Sequence, residues 1–354
     1  MPSLRRVKIP RKFRLPVKPL PLPPPKKDPP YTFIFLTLIA LSLWFVWDSL
    51  NPPLPKANEP PTLYSNQSKQ DLVLTFLEAL HLAKKSIYLV MFGLTDTAIL
   101  NTLIQKSKAQ VETTIYYDPK ASPNLLQLFP YNTIHAVAGP GLMHQKILVL
   151  DDEMVFIGSA NMTLSSLKMH DNLVIGLASK PIAAFLKEKA PYETGHIETF
   201  VGGQKVSLWL LPDPKGHALD DLKHKIRNAT RSIRIALFTF THPTLLDELI
   251  LAHKRGVDVA IVLDAQSASG ASSKTAAILK AAKIPTFINQ GIQLLHHKFV
   301  YIDEQTLITG SANWTKAAFT KNHDCLIELQ QLTDTQKEFL NTLWNRIQTR
   351  AKSI

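Results

Sequence analysis

The same twenty-residue pattern occurs twice in this chain. One copy, HQKILVLDDEMVFIGSANMT, begins at His144, and the other, HHKFVYIDEQTLITGSANWT, begins at His296. Both fit H-x-K-x4-D-x6-G-S-x-N without a gap. With each residue type near ~5% of an average chain, six such matches at one spacing arise by chance on the order of once in 10⁵ chains or more rarely. A fainter repeat precedes each copy. SIYLVMFGLTD, from Ser86, matches SIRIALFTFTH, from Ser232, and VETTIYYD ending at Asp118 matches VDVAIVLD ending at Asp264, both at an offset of 146 residues. Each unit opens with a helical pattern (71–84 and 217–229). An apolar run rich in Ile, Val and Phe follows, then a helix, then an apolar run closed by Asp. That alternation predicts α/β architecture with largely buried strands, in two like domains over 62–200 and 201–354.

The material before residue 62 is of another kind. The first thirty residues hold nine of the 40 basic side chains against Asp28 alone, and ten of the 25 prolines. Such a tail is extended and solvated. It also carries most of the net charge of +12, so the body is only mildly basic and its charge does not by itself argue for a nucleic-acid groove. No charge occurs between Asp28 and Asp48, and the stretch 31–47 is apolar on every face, with Tyr31, Trp44 and Trp47 near its ends; with Asp48 it makes the segment 31–48. It reads as one transmembrane signal anchor. The positive-inside rule keeps the tail 1–30 cytoplasmic and sends the body across, into the periplasm of a bacterium. Residues 49–61 read as a stiff proline-rich spacer.

The duplicated motif resembles the signature of the phospholipase D superfamily, and the likeness runs over roughly 62–350. The resemblance implies two similar α/β/α sandwich domains related by a pseudo-twofold axis. It also implies one active site where the two motifs meet, and phosphodiester cleavage or phosphatidyl transfer without a metal or other cofactor. One chain then suffices for one site. Residues two apart on a strand share a face, so His144 goes with Lys146 and His296 with Lys298. The acidic turns at Asp151 and Asp303 reverse the chain. An even-length loop would bring Ser159 and Asn161 back beside His144, and Ser311 and Asn313 beside His296. Lys146, Lys298, Asn161 and Asn313 suit the oxygens of a phosphodiester, and Ser159 and Ser311 add donors. One imidazole attacks phosphorus and the other protonates the leaving alcohol. Family precedent makes His144 the nucleophile and His296 the acid and base; the near-symmetric sequence does not itself decide.

Family members often follow G-S-x-N with N-x-E, whose acid orients an imidazole. Here the nearest matches are Met169-His170-Asp171 and Asn322-His323-Asp324, which point to Asp171 and Asp324 in that role. Asp151 and Asp303 read as supports of the hairpin turn, His297 as facing away from the site, and the single cysteine, Cys325, as core. No metal-binding or nucleotide-binding motif occurs. The Ser/Gly-rich stretch 266–277 reads as a mobile loop at the pocket rim.

The leading expectation is a membrane-anchored phospholipase D that hydrolyses glycerophospholipids to phosphatidate, with the phospholipid membrane as partner. Three alternatives carry the same residues: a nuclease acting on nucleic acid, a cardiolipin-synthase-like phosphatidyltransferase, and an inactive phosphate- or membrane-binding protein.

Overall fold

The computed structural model describes residues 30–50, 52–68, 70–129 and 133–354. The basic tail expected over 1–30 thus lies outside the described residues except for Pro30. The chain divides into two compact units at Ser49–Leu50.

The first unit contains one helix, Pro30–Leu50, whose residues from Tyr31 to Trp44 are exposed. Among the described residues no helix is long and apolar enough to cross a membrane. The anchor expected over 31–48 is a helix, and that is as far as the structure takes it.

The second unit holds two mixed sheets. Strands of the first are β1 (Thr62–Tyr64), β2 (Ser86–Met91), β3 (Glu112–Tyr117), β4 (Ile134–Ala136), β5 (Lys146–Leu150), β6 (Met154–Gly158) and β7 (Val174–Ala178), in the order β1-β7-β6-β5-β2-β3-β4. Strands of the second are β8 (Gly195–Val201), β9 (Gln204–Leu210), β10 (Ser232–Leu237), β11 (Asp258–Leu263), β12 (Thr286–Asn289), β13 (Lys298–Ile302), β14 (Thr306–Gly310), β15 (Cys325–Gln330) and β16 (Ala351–Ser353), in the order β16-β12-β11-β10-β13-β14-β15-β9-β8. Six strands of each sheet share one plan. β2, β3 and β4 are parallel, β5 joins β2 antiparallel, and β5, β6 and β7 form a meander; β10 to β15 repeat this.

Helices form where the sequence places caps and apolar stripes. Asp71 caps Leu72–Leu82, Asp96 caps Thr97–Lys108, and Thr333 with Gln336 makes a capping box for Asp334–Thr349. Three cores result. One packs helices on the outer face of the first sheet, around Phe76, Leu80, Ile99 and Leu148. A second does so on the second sheet, around Leu222, Leu249, Val300 and Trp314. The third lies between the sheets and draws on both, with Val90, Ile147 and Val155 from one and Phe299, Leu307 and Ile327 from the other. The two halves therefore bury apolar surface against each other.

Two expectations change here. The stretch 266–277 is not an open loop: it forms the helices Ala265–Ser269 and Ser273–Ala281. Ser272 between them is fully buried and accepts the Phe240 N–H, so this serine serves packing. The proline-rich segment is not a free spacer either. Tyr64 Oη donates to Pro53 O at 2.6 Å and Gln336 Nε2 to Pro61 O at 2.7 Å, which holds it against the body.

Candidate active site

β5 and β13 run antiparallel to the central strands β2 and β10, so His144 and His296, two residues ahead of each, sit where β2 and β10 end. The segments leading into them cross to the other half. His144 N–H donates to His323 O at 2.8 Å, and Asp171 N–H donates to Leu294 O at 2.9 Å. Both imidazoles are buried.

Each imidazole is held by the half it does not belong to. His144 Nδ1 lies 2.8 Å from Asp324 Oδ1, and Ser311 Oγ donates to the same oxygen at 2.6 Å. His296 Nδ1 lies 3.0 Å from Asn172 Oδ1, and Ser159 Oγ donates to that oxygen at 2.9 Å. Asn172 Nδ2 donates to Ser166 O at 2.8 Å and to His170 O at 3.0 Å, which fixes Oδ1 as the end offered to the ring. In both cases Nδ1–H donates and Nε2 keeps its lone pair.

This arrangement corrects two sequence readings. Ser159 was expected beside His144 and Ser311 beside His296; each serves the opposite histidine. The hairpin loops, 151–153 and 303–305, are odd in length, with Leu150 opposite Met154 and Ile302 opposite Thr306. The strands then end at Gly158 and Gly310. The inter-sheet face of these strands carries Val155, Ile157 and Leu307, and the same alternation turns Ser159 and Ser311 toward the other half. A Cβ at Gly158 would lie 2.4 Å from Leu173 O, and one at Gly310 2.2 Å from Cys325 O, so the neighbouring backbone leaves room for glycine alone. The second correction is Asp171. It pairs with Arg350 at 3.6 Å rather than with an imidazole, and Asn172 takes the orienting place. The signal was present. The two motifs are 152 residues apart, and carrying that spacing back from Asp324 arrives at Asn172.

Lys146 and Lys298 are buried, and each Nζ donates to the carbonyl of its own histidine, at 2.6 and 2.7 Å. Each also lies over a phenylalanine ring, Phe92 at 5.0 Å and Phe238 at 5.1 Å from the centroid. The same rings stand 5.2 Å from the His144 and His296 rings. The sequence reading missed both, although Phe92 and Phe238 occupy equal places in the fainter repeat. The aromatic face offsets part of the cost of burying an ammonium. Asn161 Oδ1 accepts the Gly93 N–H at 3.2 Å and Asn313 Oδ1 the Thr239 N–H at 3.3 Å. Both amides thus have Nδ2 donors left for a ligand.

Asp151 and Asp303 stand apart from this cluster. Asp151 accepts the N–H groups of Lys84, Lys85 and Ser86, and Asp303 those of Thr230, Arg231 and Ser232. Each carboxylate ties its hairpin to the start of the neighbouring strand. His297 faces away, with Nε2 2.6 Å from Gln67 Oε1. Cys325 is fully buried.

Burial sets the proton affinities. It lowers Lys146 to about 7, an effect Asp324 partly offsets. Burial and the charge of Lys146 push Lys298 well below its ordinary value. Burial and the nearby lysines lower both histidines, His296 the further; His144 has Asp324 to counter them. Burial would raise Asp324, but His144, Ser311 and Lys146 outweigh it and hold the carboxyl low. Two lysines and two histidines whose cationic forms burial penalises crowd one buried carboxylate, so an incoming anion would favour their charged forms.

A family model described as cardiolipin synthase, PLD-like domain, matches residues 76–190 and 222–346, once per half. The chain belongs to the phospholipase D superfamily. Among superfamily relatives, mitochondrial cardiolipin hydrolase of Xenopus laevis is 31% identical over 134 residues, which is 36% of this chain and 61% of that protein. Phospholipase D of Rickettsia conorii is 33% identical over 116 residues, 32% of this chain and 58% of that one. The chain thus spans about three fifths of the length of these relatives. The solved phosphatidylserine synthase of Haemophilus influenzae shares the phospholipase D fold over most of the molecule, with a TM-score of 0.65 at 14% identity, covering 85% of this chain and 89% of that one.

Proposed function

We propose that this protein is a metal-independent phosphodiesterase that hydrolyses glycerophospholipids to phosphatidate, with His144 as nucleophile and His296 as acid and base. The observation that carries the assignment is the unequal support of the two rings. His144 donates to a carboxylate, Asp324, and His296 to a neutral amide, Asn172. A ring that attacks phosphorus through Nε2 becomes cationic, and Asp324 stabilises that cation.

The geometry supports the following chemistry. Lys146, Lys298 and the amides of Asn161 and Asn313 hold the non-bridging oxygens. His144 Nε2 attacks phosphorus while protonated His296 gives its Nε2 proton to the departing alkoxide, and the P–O bond breaks. The anion between the lysines raises the proton affinity of His296, which burial and Lys298 otherwise depress. Neutral His296 then takes a proton from water as that oxygen attacks phosphorus. The P–N bond breaks, its electrons return to His144 Nε2, and phosphatidate leaves.

Similarity to proteins named cardiolipin hydrolase and phospholipase D supports a lipid substrate. The uncharged run 31–47 within the helix Pro30–Leu50 supports a membrane anchor, with the basic tail cytoplasmic and the body on the far side. The test offers the protein vesicles of phosphatidylcholine, phosphatidylglycerol or cardiolipin, and single-stranded DNA in parallel, all with chelator. Phosphatidate release that His144→Ala abolishes is expected. DNA cleavage with the lipids intact would overturn the lipid reading.

A further inference from the structure

The segments that enter the two catalytic histidines make matching tips at the mouth of the site. The first tip is pinned to the second half: Leu142 N–H donates to Asn322 Oδ1 at 3.1 Å, and His323 N–H donates to Leu142 O at 2.9 Å. It is closely packed, since a Cβ on Gly141 would lie 2.1 Å from Lys321 O. The second tip is pinned to the first half, where Asp171 N–H donates to Leu294 O and Gln293 lines one cavity together with Lys168 and Met169. Loops that are both tied across a domain junction have little freedom to fold their side chains inward.

What these tips present is aliphatic. Leu142 is 47% exposed, Ile292 100% and Met169 51%. They lie close to the chemistry: His144 follows Leu142 by two residues, His296 follows Ile292 by four, and the ring of His170, next to Met169, stands 6.1 Å from that of His296. The segments 139–142, 164–170, 289–293 and 316–323 together carry Lys168, Lys316 and Lys321 and no carboxylate. All three lysines are exposed. Single exposed apolar residues are ordinary on a protein surface. Paired aliphatic tips with a rim of one charge, on both sides of two catalytic imidazoles, are a different pattern. A single-stranded nucleic acid would be met by aromatic platforms. The only aromatic ring of Phe, Tyr or Trp type in these segments, Phe319, is buried, and of the two arginines lining the adjoining cavity, Arg346 and Arg350, the second pairs with Asp171. Aliphatic tips with lysines above them match the acyl boundary and head groups of an anionic bilayer.

We propose that the mouth of the site is a bilayer-docking surface: Leu142 and Ile292 enter the acyl boundary of an anionic leaflet, and Lys168, Lys316 and Lys321 rest on its head groups. This rests on the phospholipid reading above and adds how the phosphodiester is delivered. Docked in this way, His144 and His296 face the head-group layer, and the lipid need not leave the membrane to be cut.

The test uses the full chain reconstituted in phosphatidylglycerol vesicles. Cys325 is buried, so Ile292→Cys offers one reactive thiol for an environment-sensitive dye. Glu112→Cys, at the opposite end of the parallel strands, is the control. Brominated acyl chains are expected to quench the probe at 292 at least threefold more than that at 112. In parallel, a Leu142→Gln, Ile292→Gln variant is expected to lose tenfold or more of its vesicle hydrolysis while cleaving the soluble diester bis(p-nitrophenyl) phosphate within twofold of wild type. Equal quenching at the two positions, or vesicle hydrolysis unchanged in the variant, would overturn the docking surface. A wild-type protein that cleaves no diester would instead sink the proposed chemistry. Cleavage of single-stranded DNA, with lipid intact and no quenching at 292, would give the mouth to nucleic acid.

Discussion

Replacing Asp324 by Asn tests the unequal support of the two histidines. The carboxylate receives His144 Nδ1–H at 2.8 Å and Ser311 Oγ–H at 2.6 Å, both on Oδ1. Among the described residues its Oδ2 has no hydrogen-bond partner, so an amide nitrogen placed there breaks no bond. The amide oxygen can still accept from the ring, as Asn172 does for His296. Asp324→Asn therefore removes the charge and keeps the geometry. A hydrogen bond to a charged partner contributes about 1.5–3 kcal/mol. At 1.36 kcal/mol per decade of rate, kcat is expected to fall roughly 10- to 150-fold. An amide that instead turned its nitrogen to the ring would impose the wrong tautomer, with a loss nearer ~10⁴-fold, as in catalytic triads. The companion variant, Asp324→Asn with Asn172→Asp, moves the carboxylate to the other ring. Rapid quenching during turnover of bis(p-nitrophenyl) phosphate, then mapping of the phosphorylated peptide, is expected to find phosphate on His144 in wild type and on His296 in the double variant. A loss below threefold in Asp324→Asn, or wild-type label on His296, would refute the reasoning.

Asp151→Ala is expected to lower the melting temperature by several degrees, as loss of a cap costs about 1–2 kcal/mol, yet to keep kcat per folded molecule within threefold, because its partners are the backbone of 84–86. Lys146→Met is expected to abolish turnover and to be tolerated best, in thermal stability, near pH 6, where the native state otherwise buries a cation, although it takes a neighbouring charge from Asp324 and a donor from His144 O. The native lysine binds its proton less tightly than the unfolded one, with a folded value of about 7, so wild-type stability rises with pH above 7 and the variant compares less favourably toward pH 10. Asp171 has the opposite sign. Burial raises it to about 7 despite Arg350, so the folded state holds the extra proton and stability falls as pH climbs from about 4 to 7. Asp171→Asn is expected to raise the melting temperature above pH 7 and not at pH 4, without moving the pH profile of kcat; a shifted profile would return Asp171 to the catalytic group.

Much of the protein was legible without coordinates because its information is periodic and duplicated. A motif repeated at one spacing requires two like halves. Apolar runs closed by Asp118 and Asp264 read as buried strands because strand burial has a local signature. His144, Lys146, Asn161 and their partners at 296, 298 and 313 stood out through repetition alone. What the local pattern does not contain is how one half meets the other. His144 and Asp324 are 180 residues apart, and His296 and Asn172 are 124 apart. Their pairing depends on docking the two sheets over a shared core, and on odd hairpin loops whose register turns Ser159 and Ser311 to the inter-sheet face. A one-residue shift in alignment separates Asp171 from Asn172, hence a charged support from a neutral one. The residue types were decided by the sequence. Which half orients which imidazole, and which side chains stand at the mouth, was decided by long-range packing, because contacts across such separations obey no local period.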